Sequence, residues 1–185
     1  MKKSLAFSLV LALVALVPAS LALAASMPKP SNKTVVPPTS IAGIKLGMSE
    51  AKAKAAWGSG RGKCASSEAD GVIRCEYGSE KGRSGRAYFE AFEGKVTTIG
   101  VYGGKNAKNE YLASAASALT QLKTVSGIGI GSPYSKLKSA YPKGEVLGKT
   151  SEPVFVYSIP GKVGTLFSYS LTGGEVYAFF LSYAG

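Results

Sequence analysis

Gly43-Ile44-Lys45-Leu46-Gly47-Met48-Ser49-Glu50-Ala51-Lys52-Ala53-Lys54-Ala55-Ala56-Trp57-Gly58 occurs twice in this chain. The second copy is degraded but readable, as Gly127-Ile128-Gly129-Ile130-Gly131-Ser132-Pro133-Tyr134-Ser135-Lys136-Leu137-Lys138-Ser139-Ala140-Tyr141-Pro142. At an offset of 84 residues, Gly43, Ile44 and Gly47 meet Gly127, Ile128 and Gly131. Lys52, Lys54, Ala56 and Trp57 likewise meet Lys136, Lys138, Ala140 and Tyr141. Downstream the offset becomes 80, where Tyr77 meets Tyr157, Phe89 meets Tyr169, Gly94 meets Gly174, Val96 meets Val176 and Ile99 meets Phe179. The difference of four residues falls between Pro142 and Tyr157, where a loop tolerates shortening. Similarity that survives one clean gap predicts two copies of one small unit.

Each copy opens with a short apolar strand ending in glycine and continues as a helix. Ser49 starts the first helix and Ser132-Pro133 the second. A serine oxygen is expected to accept from the free N–H groups of the first turn. Proline loses nothing there, because its missing N–H would be unpaired anyway. Gly58 and Pro142 stop the helices, with Trp57 and Tyr141 placed to cover the edge of a sheet. Three strands follow in the first copy, roughly Val72 to Tyr77, Arg86 to Phe92 and Lys95 to Tyr102. Glu93-Gly94 makes the tight turn between the last two. The second copy repeats them as Val154 to Ile159, Thr165 to Leu171 and Glu175 to Ser182, with Gly173-Gly174 at the turn. Both alternating sets in the final strand are apolar, so both its faces should be covered. The helix of the unit would take one face, and the companion unit or a partner molecule the other. Between the copies, Tyr111, Leu112, Ala115, Ala118, Leu119 and Leu122 fall at helical spacing and predict a connector helix from Lys108 to Leu122. The fold class expected is α+β: two tandem repeats, each a short helix packed on a small antiparallel β-sheet.

The amino terminus is different. Lys2 and Lys3 precede an apolar run from Leu5 to Val17, broken by Pro18 and followed by small residues. That is the pattern of a secretory signal peptide, over residues 1–24, with Ala22-Leu23-Ala24 as the cleavage signature. The run is short for a retained anchor, so no transmembrane span is expected after cleavage. Residues 25–39 hold Pro28, Pro30, Pro37 and Pro38 and read as an extended, weakly ordered tether. The first unit then occupies residues 40–104, the connector 105–123 and the second unit 124–185. The folded part is large enough for one modest core shared by both units, or for two small abutting cores.

Cys64 and Cys75 are the only cysteines, and both lie in the first unit. In an exported chain they should form a structural disulfide. A metal or redox site needs more ligands or a Cys-x-x-Cys spacing, and neither is present.

Chemistry is scarce elsewhere. There is no histidine, which removes Ser-His-Asp and Cys-His catalysis and histidine metal sites. Asp70 is the only aspartate, so aspartate dyads and acidic calcium loops are also excluded. Glu90 and Glu93 lie on one hairpin without a surrounding pocket, and Gly103-Gly104-Lys105 reads as a turn. No catalytic residue, cofactor or metal is expected. The chain carries 22 Lys and Arg against 11 Asp and Glu; without Lys2 and Lys3 the balance is 20 against 11, a formal +9. Such a surface attracts polyanions or an acidic protein face. The densest basic run is Lys81-Gly82-Arg83-Ser84-Gly85-Arg86, followed by Tyr88, in the hairpin loop of the first unit. Arginine beside aromatic residues is the composition of protein-recognition hot spots, so Lys81, Arg83, Arg86 and Tyr88 are the candidate partner-binding residues.

The first unit resembles the β-lactamase inhibitor protein family and, more distantly, the small lipoproteins of the outer-membrane assembly machinery. The likeness is carried by Gly43-Ile44-Lys45-Leu46-Gly47-Met48-Ser49, Trp57-Gly58, the Cys64/Cys75 pair and Gly94-Lys95-Val96. It implies tandem helix-plus-sheet units whose sheets together make a concave protein-binding face. Where that family presents an acidic residue in the first hairpin loop, this chain has a longer, basic loop with Gly85 at the nearest position. The expected target is therefore more acidic than a β-lactamase. The second unit also lacks the disulfide found in both halves of the family's inhibitors.

The function expected is that of a secreted, non-enzymatic, inhibitor-like binding module. It would recognise an extracellular or cell-envelope protein through its sheet face and hairpin loops. The alternative is an envelope protein that binds an anionic wall polymer or membrane surface through diffuse charge. Specific nucleic-acid binding is not expected.

Overall fold

The computed structural model describes residues 25–79, 84–147, 154–158, 164–169 and 174–182. The leader of residues 1–24 lies outside them. Strands β1 (Thr34–Val36), β2 (Ser40–Ile41) and β3 (Ile44–Lys45) lead into helix α1 (Glu50–Trp57). Strands β4 (Lys63–Ser66), β5 (Ile73–Ser79), β6 (Gly85–Phe92) and β7 (Lys95–Tyr102) follow. A single helical turn α2 (Ser117–Thr120), strand β8 (Lys123–Thr124) and helix α3 (Tyr134–Ala140) come next. Strands β9 (Glu145–Leu147), β10 (Val154–Ser158), β11 (Gly164–Tyr169) and β12 (Val176–Ser182) complete the order. The class is α+β, mostly sheet with few helices.

Among the described residues, eight strands form one sheet in the order β4-β5-β6-β7-β12-β11-β10-β9, and four form a small sheet, β3-β2-β1-β8. The large sheet is antiparallel at every described pair. Its two central strands, β7 and β12, pair edge to edge from Tyr102↔Ala178 to Thr98↔Ser182. Glu93 (φ 48) and Gly94 (φ 71) turn the β6–β7 hairpin, both in the left-handed region that the twist of a two-residue hairpin demands.

Both helices are entered in the same way. Gly47 (φ 76) donates its N–H to the Val96 carbonyl at 2.7 Å, and Gly131 (φ 82) donates to Val176 at 2.8 Å. Val96 and Val176 donate back to the carbonyls of Met48 and Ser132. Glu50 and Tyr134 then give their N–H groups to the carbonyls of Gly94 and Gly174. The serine caps expected at Ser49 and Ser132 do not form. The hairpin carbonyls already accept the free N–H groups of the first turn, and Ser132 Oγ instead accepts from the N–H of Gly129.

At 8 and 7 residues, α1 and α3 are too short to persist alone, so packing must hold them. They bury Ala53, Trp57 and Leu137 against one face of the large sheet. The Trp57 indole meets Tyr77 edge-on at 5.3 Å and Phe89 at 6.3 Å. Its Nε1 donates to the Ala42 carbonyl at 3.2 Å, in the β2–β3 turn of the small sheet. Tyr141 and Tyr157 make the corresponding ring contact beyond α3, at 4.8 Å. Val35, Ile41, Ile44, Leu122 and Ile128 join the same buried cluster, so of the two alternatives a single shared core forms.

The disulfide between Cys64 and Cys75 is present and ties edge strand β4 to β5. At the opposite edge, Val146 on β9 faces Phe155 on β10, an apolar pair in place of the bridge.

Three expectations are corrected. The connector helix of residues 105–123 shrinks to Ser117–Thr120. Asn106 Oδ1 accepts the N–H groups of Lys108 and Glu110, and Asn109 sits at φ 63, which turns the chain out of a helix. The apolar spacing serves an extended strap instead, in which Leu112 donates to the Gly104 carbonyl, Gly104 donates to the Ser114 carbonyl and Lys105 bridges to Tyr111, so Gly103-Gly104-Lys105 is not a simple turn. The tether of residues 25–39 is tied down. Ser26 bonds to Arg61 and Gly78, Lys29 to Trp57, and Val35 is fully buried in β1. Finally, of the two covers expected for the second face of the last strand, the companion half is not one, because it pairs with β12 along its edge through β7.

Because Trp57 joins the helix, both sheets and the amino-terminal segment, Trp57→Ala should cost about 3–5 kcal/mol, read as a lowered urea midpoint. Trp57→Phe keeps most of the packing and should lose only about 1 kcal/mol, for the hydrogen bond to Ala42.

Candidate functional site

The candidate site grows from the strand alternation on the face of the large sheet that the helices leave open. In β6, Ala87, Phe89 and Ala91 point into the core, so Arg86, Tyr88 and Glu90 point outward. In β5, Cys75 and Tyr77 are core residues, which sends Arg74 and Glu76 to the same outer face. Register then assembles a row across four strands: Glu76 opposite Tyr88, Tyr88 opposite Gly100, and Gly100 opposite Phe180.

Tyr88 is the floor of this face. Its ring lies flat across Gly100, where any Cβ would collide with it. It stacks on Tyr102 at 5.9 Å, and Tyr102 stacks on Phe180 at 6.1 Å, so one aromatic stripe crosses the β7–β12 seam. Tyr111, from the strap, adds stacked contacts to Tyr102 at 5.5 Å and Tyr177 at 5.0 Å, with Lys105 Nζ 4.4 Å above its ring.

Two arginines lie on the stripe. Arg74 sits 4.0 Å above the Tyr88 ring, with ion pairs to Glu76 at 2.9 Å and Glu90 at 3.0 Å. Arg86 lies 5.2 Å from the Tyr102 centroid and pairs with Glu76 at 2.9 Å. Each guanidinium is held both by a carboxylate and by a ring face, which orients it without a loop. The two arginines are matched by two carboxylates, while Lys63 opposite Glu76 and Lys105 over Tyr111 leave the face a modest positive excess.

Burial pushes the Tyr88 phenol well above its ordinary value of 10.0, with Tyr102 and Glu90 adding to the rise and Arg74 opposing it. Burial raises Tyr77 and Tyr141 in the same direction.

Of the residues expected to bind a partner, Lys81 and Arg83 lie outside the described residues. Arg86 and Tyr88 lie on β6, within the strand expected from Arg86 to Phe92, and Tyr88 is only 7 % exposed beneath the arginines. Arg74, Glu76, Glu90, Tyr102 and Phe180 were not anticipated. The alternation of Arg74 and Glu76 around buried Cys75 was a readable sign for two of them. Glu90 is committed to Arg74 and Glu93 to the turn, so the paired glutamates do not converge on a cleft.

In fold, the chain is similar to an extracellular protein containing a SCP domain from Bacillus anthracis str. Ames, at 15% identity and a TM-score of 0.50, over 85% of this chain and 48% of that one. A cysteine-rich secretory protein from Staphylococcus aureus subsp. aureus Mu50 matches at 10% identity and a TM-score of 0.43, over 86% of this chain and 47% of that one. This chain thus spans about half the length of the solved structures it matches. No protein-family model and no curated protein matches it.

The neutral Tyr88 phenol is the form the fold prefers. Its contribution is complete below pH 10.0, the unfolded value, and is lost as pH rises above that toward the folded value. Tyr88→Phe should flatten the fall of stability at alkaline pH, measured by denaturant unfolding across that range. Gly100→Ala displaces the ring and should cost about 1–3 kcal/mol.

Proposed function

We propose that this is a secreted, non-enzymatic binding protein, built from two copies of one helix-and-sheet unit, that holds another protein on the open face of its sheet. The observation that carries the reading is the stripe Tyr88–Tyr102–Phe180 with Arg74 and Arg86 upon it. Aromatic and arginine side chains on a stiff sheet offer large contact area with little motion left to lose, which is the make-up of binding hot spots. Lys81 and Arg83, which follow β5 in sequence, remain candidate contacts for the partner.

Duplication is supported by the matched hydrogen bonds of Gly47 and Gly131, the matched ring pairs of Trp57–Tyr77 and Tyr141–Tyr157, and a strand order that repeats from each edge inward. The resemblance to the β-lactamase inhibitor proteins points the same way. An extracytoplasmic location is supported by the leader pattern and the Cys64–Cys75 bridge. Among the described residues, no helix is long and apolar enough to cross a membrane.

Affinity capture from culture medium and envelope extracts with the chain from Ala25 onward tests the reading. The captured protein should stay bound at moderate salt, because a packed interface is screened less than diffuse charge. Phe180→Ala and Arg86→Ala should each weaken it by about 2 kcal/mol, measured by calorimetry. Capture that neither substitution affects would reject the face.

A further inference from the structure

Charge is divided unevenly between the two sides of this molecule. On the open sheet face, arginines are matched by Glu76 and Glu90. On the helix side, α1 pairs Lys54 with Glu50, but the segments flanking it carry cations alone. Between residues 25 and 49, and again between 111 and 144, the sequence contains no Asp or Glu. Those two segments build the small sheet, the turn after β8 and helix α3.

The small sheet has a dry and a wet face. Val35, Ile41, Ile44 and Thr124 form a buried row across it. The alternate positions face outward and include exposed Val36, Lys45 and Lys123. The parallel pairing runs from Thr34 with Lys123 to Val35 with Thr124, and Val36 and Val125 are the next residues along the two segments. Val125 stands on the turn closed by the bond from Gly127 N–H to the Thr124 carbonyl and is 88 % exposed, while Val36 is 40 % exposed. Lys136 donates to the Gly127 carbonyl at 3.3 Å, which brings a further ammonium to that turn. Lys33 lies exposed just before β1 and bonds to Gln121.

We propose that this side docks on an anionic lipid bilayer. Val125 and Val36 enter the headgroup layer, and Lys33, Lys45, Lys123 and Lys136 meet lipid phosphates. Cations without acids fit any phosphate-bearing surface. A protruding valine does not help against a hydrated polymer, because it gains only where apolar matter replaces water. The combination therefore selects a bilayer over a wall polymer. Docked this way, the aromatic face on the far side of the large sheet stays turned toward solution.

The test is co-sedimentation of the chain from Ala25 onward, which contains every described element, with vesicles. Vesicles of phosphatidylglycerol in phosphatidylcholine are compared with phosphatidylcholine alone. The protein should pellet with the first and not the second. Lys123→Glu with Lys136→Glu should weaken partition at least about tenfold. Val125→Asp should weaken it several-fold with an unchanged melting temperature, since the side chain is nearly all in water. Lys108→Glu, an exposed lysine on the strap, should have no such effect. The proposal is overturned by equal binding to both vesicle types or to neither. It is also overturned if Lys108→Glu loses as much as the paired substitution, or if Val125→Asp binds as well as the unaltered chain. Binding to soluble poly(glycerol phosphate) without binding to vesicles would assign the lysines to a wall polymer instead, and overturn it too.

Discussion

Everything in the first half of the chain converges on the Trp57 indole. Its faces and edges are filled by Tyr77 and Phe89 from the large sheet, and its one polar atom is satisfied by Ala42 from the small sheet. Its own carbonyl receives the N–H of Lys29. The indole thus positions two layers, and the backbone of the same residue holds a terminal segment. A buried indole demands a partner for its N–H, and that demand sets the approach of the β2–β3 turn. Ala42 sits at φ 50, a region uncommon for a residue with a Cβ, and it is the carbonyl of this residue that Trp57 uses.

The same logic of shared partners governs the open face. Glu76 serves two arginines, Tyr88 supports two cations, and Tyr102 touches rings from β6, β12 and the strap. Such a network is stiff because moving one member uncovers another. Surface ion pairs alone would add little stability. Their contribution here is orientation: planar guanidinium groups are presented flat against rings, at set heights above a sheet.

Local features of this fold could be read from the residues. Gly47 and Gly131 marked the entries to both helices, Glu93-Gly94 marked its hairpin turn, and Cys64 and Cys75 had only each other. What escaped was non-local or short. Strands β4 and β9 have four and three residues and no apolar alternation to announce them. The β1–β8 pair joins segments almost ninety residues apart and rests on two paired positions. The 108–122 stripe has the right period for a helix, yet Asn106 and the stacked Tyr111 claimed its first half for an extended path. At the candidate site, Arg86 and Tyr88 were visible as residue types. Their setting was not, because Phe180 reaches Gly100 only through a register made across the seam.

That seam has a further meaning. In each half the strand adjoining it is the last one, and the β1–β8 pair, the strap and the shared core join the halves beside it. A solitary half would leave its final strand bare, and the natural mate for a bare antiparallel edge is the same edge of another copy, related by a twofold axis. On the duplication proposed above, the architecture would correspond to a homodimer whose protomers have been joined end to start by the strap. Covalent joining removes the concentration dependence of such a pairing. It also frees the halves to diverge, so that one can keep a disulfide at its rim while the other keeps Val146 and Phe155.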